Sequence, residues 1–518
     1  MRDMIYWLLL MAAFSYAFCA GNDSTGSGNE MQECLEKIEE LALGLQIEDV
    51  PVTEVLCEFP VEYSDGFWVD EEENIYVLAT YEKCIWEYKA GETRQIPLEA
   101  AVLPADVVAA GGLLYVYDDL LSEVQIYTKK GELKCRSNIN LQEDYVKQLV
   151  MESGTAAVIT YGGRRICINP ENGEQTVLLQ ETVRKAEKSG YDYVEFLAAD
   201  NTGKEYFVCT SLLKEGTLLA GELVLHAVSP KGTQLGSYVL PVEEFDYLAG
   251  TYLQIQEDGR IYLMVTGEKT LEIRKIELGR EAVSNLPEII QAAEKLEQEN
   301  QEELEYRRVR GFDCTRTVEL DREEVWERVL AMAEYEWTLR KTNTETTRMT
   351  EIEFPREIEA LRQAGEKEED WSAEIKGLPY CWGGFCSIYG GESGITFDKA
   401  LEQGYLTGNS LTEGYYKTAT IGVDCSGLLT AALGFDEKLG TKDLLEIGTV
   451  LENPEELEVM DYLVSPGNHV MVFCGWLDAA TMLVCESAVR EGKVSIHPKT
   501  IHELAVNGSY IPCSFWQE

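Results

Sequence analysis

The chain has 518 residues, with 44 Lys and Arg against 92 Asp and Glu, giving a formal net charge of -48 at pH 7. That length exceeds what one core fills and predicts about three structural units. So acidic a chain repels phosphate backbones and anionic lipid headgroups, which excludes nucleic acid as an expected partner. A hydrophobic content of 45% is ordinary for a globular protein.

In chain order, residues 1–20 read as an export signal: Arg2 supplies a positive start and Ile5 to Phe18 is apolar without a charge. Cys19, followed by a Gly/Ser-rich stretch to Gly28, is similar to the acylated Cys and flexible tether of a bacterial lipoprotein, although Phe18 stands where such a signal has a small residue. A lipid anchor at Cys19 and an extracellular or wall-associated location are therefore expectations. Residues 21–50 read as a tether and short helix. The fourteen cysteines are spread singly through strand-like stretches, as small buried hydrophobes rather than a disulfide framework.

From 51 to 279 a unit of short strands recurs, each ending on a Gly turn. Asn74 to Leu78 leads to Ile85 to Tyr88 and Gly91; Gly112 to Tyr117 leads to Val124 to Tyr127 and Gly131. Three weaker copies follow, ending near Gly173, Gly232 and Gly279. One such unit cannot bury both faces of its sheet, whereas copies packed radially can, so an all-β propeller-like domain of five or six blades is expected. The strand at Val55 to Phe59 is a candidate part of a sixth blade. A stacked sandwich is the alternative. His226, alone in an apolar strand, reads as a packed core residue, and the propeller's ligand is unidentified.

Residues 280–370 read as a helical linker. Leu286, Ile289, Ile290, Ala293 and Leu296 recur at helical spacing before an acidic run to Glu305. A second helix starts at Asp321 with a capping box to Glu324 and carries Val325, Val329, Met332 and Trp337 inward. The polar stretch Thr342 to Glu369 reads as an exposed connector.

The chemistry-bearing segments lie within 371–518. In Asp424-Cys425-Ser426-Gly427, followed by Leu428, Leu429, Ala432 and Leu433, the cysteine falls at a helix N-terminus. The unpaired N–H groups and the dipole there favour a thiolate nucleophile and can receive an oxyanion. His469, one of only four histidines, opens the apolar strand His469 to Phe473 and suits a general base. A hairpin symmetric about Leu477-Asp478 pairs position 469 with 486, which sets Glu486 directly across from His469 as the orienting carboxylate. A one-residue slip would turn Glu486 away.

These segments resemble the NlpC-type family of bacterial cell-wall cysteine peptidases. Asp424-Cys425-Ser426-Gly427 matches its nucleophile motif, Pro379-Tyr380-Cys381-Trp382-Gly383-Gly384 its Tyr-x-Trp-Gly-Gly signature, and His469 to Phe473 its His strand. Asp461-Tyr462-Leu463 sits where the family has Gly-Asp-Leu, with Met460 replacing the Gly. The resemblance covers roughly Gly377 to Glu518. It implies an α+β papain-like domain that cleaves peptide bonds in peptidoglycan stems next to D-glutamate. Carried over by motif, Cys425 and His469 are the catalytic pair, with Glu486 where many relatives have a His. Tyr380, Trp382, Asp424 and Ser426 surround the substrate.

No metal or cofactor is expected. A zinc site from Cys381, Cys386, Cys425 and His469 is the competing use of the same residues, at an unusual spacing. Two further alternatives are a catalytically inactive wall- or partner-binding propeller protein, and an amidase or acyltransferase using the same Cys-His site.

Overall fold

A computed structural model of the chain describes residues 51–516 apart from short internal stretches, the longest being 179–190 and 412–419. The expected export signal, Cys19 and the tether therefore lie outside the described residues. Five four-stranded antiparallel sheets follow one another along the chain. Four are consecutive meanders, over residues 67–97, 104–138, 146–178 and 193–239. The fifth joins strands 253–255, 261–266 and 271–277 to a strand from the other end of the domain, Val52–Phe59.

That strand runs antiparallel to 271–277, with Phe59 opposite Leu271 and Val52 opposite Glu277. It therefore completes a fifth blade as its outermost strand, and among the described residues there is no sixth. The ring closes at the next contact inward. Gln254 of the fifth blade accepts from Val69 N at 2.6 Å and donates to Val69 O at 2.9 Å, tying the last innermost strand to the first. Other neighbouring blades are tied in the same polar way. Asp106 accepts from Leu149 N at 2.7 Å, Lys147 pairs with Glu195 at 2.6 Å, and Asn201 N donates to Glu257 O at 2.8 Å. Five sheets arranged in this ring are propeller-like and exclude the stacked sandwich. His226 is buried and its Nε2 meets Tyr191 Oη at 2.6 Å, a packed core histidine whose Nδ1 has no hydrogen-bond partner.

After a 24-residue helix, Leu286–Val309, the chain forms a second unit around a six-stranded antiparallel sheet. Across the sheet the strands run 449–450, 511–514, 462–465, 469–476, 481–487 and 494–500. One face, bearing Val470, Val472 and Cys485, packs on the Cys425–Ala432 helix through Leu428, Leu429 and Ala432. The other face, bearing Met471, Phe473, Met482 and Val484, packs on Ile501 and Leu504 and on Tyr193 and Leu219 of the fourth blade. The propeller-like ring is thus seated directly on the back of the sheet.

Two expectations for residues 280–370 are corrected. The helix capped by Asp321 spans Arg322–Ala333, and its capping box is present, but Trp337 lies beyond it on a strand, Glu336–Arg340, opposite Ile375. Its indole N–H donates to Gly377 O at 2.9 Å, a partner that only the tertiary fold supplies. The stretch expected to be an exposed connector includes the helix Arg356–Gly365, and Asn343, Phe354 and Ile358 are buried in or against the second unit's core. The sparse apolar residues there hid a strongly one-sided helix. Among the described residues no helix is long and apolar enough to cross a membrane.

Candidate active site

Cys425 is the first residue of its helix. Asp424 holds an extended backbone and its carboxylate accepts from Gly427 N at 2.7 Å, satisfying one of the donors a helix start leaves unpaired. Lys438 closes this cap, reaching Asp424 at 3.0 Å and Ser426 Oγ at 2.9 Å. The side chains of Asp424 and Ser426, expected to contact substrate, are therefore buried in the cap. Cys425 stays partly exposed beside these two buried neighbours.

The glycine of the nucleophile motif has a steric reason. A Cβ on Gly427 would lie 2.1 Å from Gly384 O, so the Trp-Gly-Gly loop can press on the helix start only without a side chain at 427. Cys381 N donates to Val423 O at 3.1 Å and Val423 N to Pro379 O at 3.1 Å. This pairing sets Tyr380, buried, beside the nucleophile position. Burial first, then the charges of Asp424 and Cys425, push the Tyr380 phenol well above its ordinary range. Trp382 is partly buried on the turn after Tyr380, its backbone N–H donating to Asn409 O at 2.8 Å.

His469 begins the strand His469–Trp476, its Nε2 pairs with Glu486 Oε2, and its ring is close enough to the Cys425 sulfur for the two to interact electrostatically. The pairing with Glu486 was expected, but its register was not. Val472 lies opposite Cys485, Gly475 opposite Leu483, and the step between them is a bulge at Cys474. The turn sets Trp476 opposite Met482, three residues off a symmetric hairpin, and the bulge takes back one, so Glu486 falls across from Met471 and reaches His469 diagonally. A shift of two preserves the face, which is why the side chains still meet.

Burial disfavours charge on both partners, yet their mutual attraction prevails. The Glu486 carboxylate and the Cys425 sulfur hold the His469 imidazole well above the ordinary His range against burial. Against burial, His469 and then His497 hold the Glu486 carboxyl well below the usual carboxylate range. Both shifts run the same way, toward a charged imidazole paired with a charged carboxylate.

His497 is the member that the sequence reading missed. It lies on the next strand, Val494–Thr500, with Nε2 2.9 Å from Glu486 Oε1. No motif marks it; the available signals were the rarity of histidine and a turn, Arg490 to Gly492, that returns a strand past Glu486. That turn also carries the contact with the propeller-like ring. Arg490 pairs with buried Asp65 at 3.0 Å, while Arg356 stacks 3.6 Å over the Tyr81 ring. Gly492 O accepts from Tyr380 N at 2.8 Å, so the turn that meets the ring's loops also holds Tyr380.

Cys381, Cys386, Cys425 and His469 do not form a metal-ligating cluster among the described residues. Cys381 is buried with its thiol against Thr420, and burial pushes it up to about 12, the range of a packed thiol rather than a thiolate ligand. All twelve described cysteines are free, as expected of small buried hydrophobes.

No family model matches the chain, and no curated protein matches it. Among solved structures, a streptogramin B lyase matches 44% of this chain and 98% of its own at 11% identity, with a TM-score of 0.28. A DUF4221 family member from Bacteroides vulgatus matches 45% and 100% at 9% identity, TM-score 0.30. BamB from Moraxella catarrhalis matches 41% and 86% at 9% identity, TM-score 0.26. Likeness this distant assigns nothing to the chain; the propeller-like description rests on its five closed blades.

Proposed function

We propose that the chain is a cysteine peptidase of papain-like, NlpC-type arrangement that hydrolyses peptide amides of peptidoglycan stems or muropeptides. One observation carries this reading: a partly exposed Cys at a helix start, a His in reach of its sulfur, and a buried carboxylate on the far side of the same imidazole. In the first half-reaction the Cys425 sulfur attacks the amide carbonyl, and backbone N–H groups at the helix start receive the oxyanion. His469 gives its proton to the departing amine as the C–N bond breaks, leaving a thioester. In the second, His469 takes a proton from water, which attacks the thioester and releases the acid and the Cys425 sulfur. Glu486 holds the ring and its charge throughout.

The substrate class rests on the motifs around Tyr380, Cys425 and His469, and the location outside the cytoplasm follows from it and from residues 1–20. The contacts of Asp65 with the turn that holds Tyr380, and of Tyr81 with Arg356, suit a ring that restricts which fragments reach Cys425. The test is mass spectrometry of defined muropeptides incubated with the wild type and with Cys425→Ala. Cleavage by the wild type alone is the expected result; equal product from both overturns the mechanism. Cleavage by neither across a broad panel favours a binding role, and transfer to an added amine instead of water identifies an acyltransferase.

A further inference from the structure

Beyond the imidazole it orients, Glu486 belongs to a second cluster. Ligand atoms of Glu486, Glu491 and His497 all lie within 4.8 Å of one another. Glu491 comes from the turn and His497 from the strand that follows it, so the fold, rather than one flexible loop, assembles the three. Glu486 and Glu491 are 5% and 8% exposed. Two buried carboxylates this close repel each other unless something positive lies between them.

His469 answers Glu486 through Oε2, whereas Glu486 Oε1 and Glu491 are answered only in part. Arg490 Nη1 is 3.5 Å from Glu491 Oε1, but Arg490 is also engaged by Asp65. Glu491 Oε2 is buried with no hydrogen-bond partner. His497 Nε2 is 2.9 Å from Glu486 Oε1 yet lacks the alignment of a hydrogen bond and has no other partner. A ring nitrogen and a carboxylate oxygen that are close but not aimed at each other are arranged as ligands around a common point. One imidazole and two carboxylates are the donor set of zinc-like divalent ions, with bonds of about 2.0–2.2 Å and a fourth position left for water.

We propose that Glu486, Glu491 and His497 form a site for a divalent transition-metal ion of the zinc class, and that the bound ion inhibits the enzyme by competing with His469 for Glu486. The inhibitory part rests on the peptidase reading above; the binding part does not. A metal ion on Glu486 takes the carboxylate that His469 Nε2 pairs with, so the ring loses the partner that orients it while Cys425 stays intact. No bond in the protein is made or broken, and a chelator reverses the effect.

The probe is Co2+, titrated into the full chain after chelator treatment and followed by its visible spectrum. The expected result is one tight equivalent whose spectrum lacks a thiolate charge-transfer band, weakened about 10–100-fold in Glu491→Gln and in His497→Gln. Two variants guard against one misfolding, and circular dichroism reports whether each is folded. A wild type without a tight site, a thiolate band, or unchanged binding in both folded variants overturns the proposal. The second arm compares muropeptide cleavage with and without Zn2+. The rate ratio falls about tenfold in the wild type and much less in Glu491→Gln. Equal inhibition of both places the ion on Cys425 and overturns the inhibitory switch. A wild type that cleaves nothing contradicts the proposed function, while the Co2+ titration still decides the site.

Discussion

The propeller-like ring and the second unit both bury charged groups, but they satisfy them differently. In the ring, Asp106 is held by two backbone N–H groups, and Asp118 by the backbone of Val102, Leu103 and Leu121. Such groups fix strand ends and loops, and burial still pushes Asp106 up to about 7. In the second unit Glu486 is held by two imidazoles, and one of them is in reach of a partly exposed sulfur. A buried acid tied to backbone shapes a fold. One tied to groups that themselves gain and lose protons, beside a nucleophile, is equipped for chemistry.

Variants on either side should break this contrast in different observables. Cys425→Ala and His469→Ala are expected to lower kcat/KM for muropeptides by about 10⁴-fold or more, measured by product formation, with melting by calorimetry little changed in Cys425→Ala and lowered in His469→Ala, which leaves buried Glu486 without its partner. A loss below about tenfold would reduce the second unit to another structural assembly.

At the seam between the regions, Arg490→Gln leaves Asp65 buried without its cation. The cost is about 3 kcal/mol, at the low end for a broken buried pair because Asp65 can take up a proton instead. Burial already raises the Asp65 carboxyl against the pull of Arg490. The variant raises it further, so folded Asp65 binds a proton more readily than the unfolded chain. Stability is then lost as pH rises from the ordinary Asp range toward the raised value, and urea unfolding at pH 5 and pH 8 should show the larger deficit at pH 8. Asp65→Asn should remove that pH dependence.

Gln254→Ala unties the ring closure at Val69 and is expected to cost about 2 kcal/mol in the same unfolding measurement, with kcat unchanged on the folded protein. The smallest effect is expected at Met460, which is fully buried at φ 83°. Met460→Gly relieves about 1 kcal/mol of left-handed strain and forfeits about 2 kcal/mol of apolar burial. A net loss of about 1 kcal/mol would show packing outweighing backbone strain where the resembling family has Gly.

What the sequence disclosed follows from the same physics. Five blades were legible because each repeats a strand-turn period, but the partner of Val52–Phe59 was not. Its closure joins residues separated by the whole ring, and no local pattern encodes that pairing. Cys425 and His469 were legible because helix start and strand start are local features. Glu486 was found by a hairpin argument whose register was wrong by two, since neither the offset of the turn, with Trp476 opposite Met482, nor the bulge at Cys474 leaves a mark in composition. The nearness of His497 to Glu486 depends on the packing of a third strand, which single-strand alternation does not report. Trp337 was placed inward correctly but on the wrong element, because its hydrogen bond to Gly377 and its strand pairing are tertiary.

The measurement that tests the central claim most directly is the pH dependence of kcat/KM for muropeptide cleavage, in chelator, for the wild type and Glu486→Gln. Glu486 favours the protonated His469, so removing its charge lowers the pH at which the imidazolium is lost. The account predicts that the alkaline limb of the variant moves to lower pH and that its maximum falls by about 10²-fold or more. Coincident alkaline limbs would contradict it, because Glu486 would then not set the charge of the base that serves Cys425.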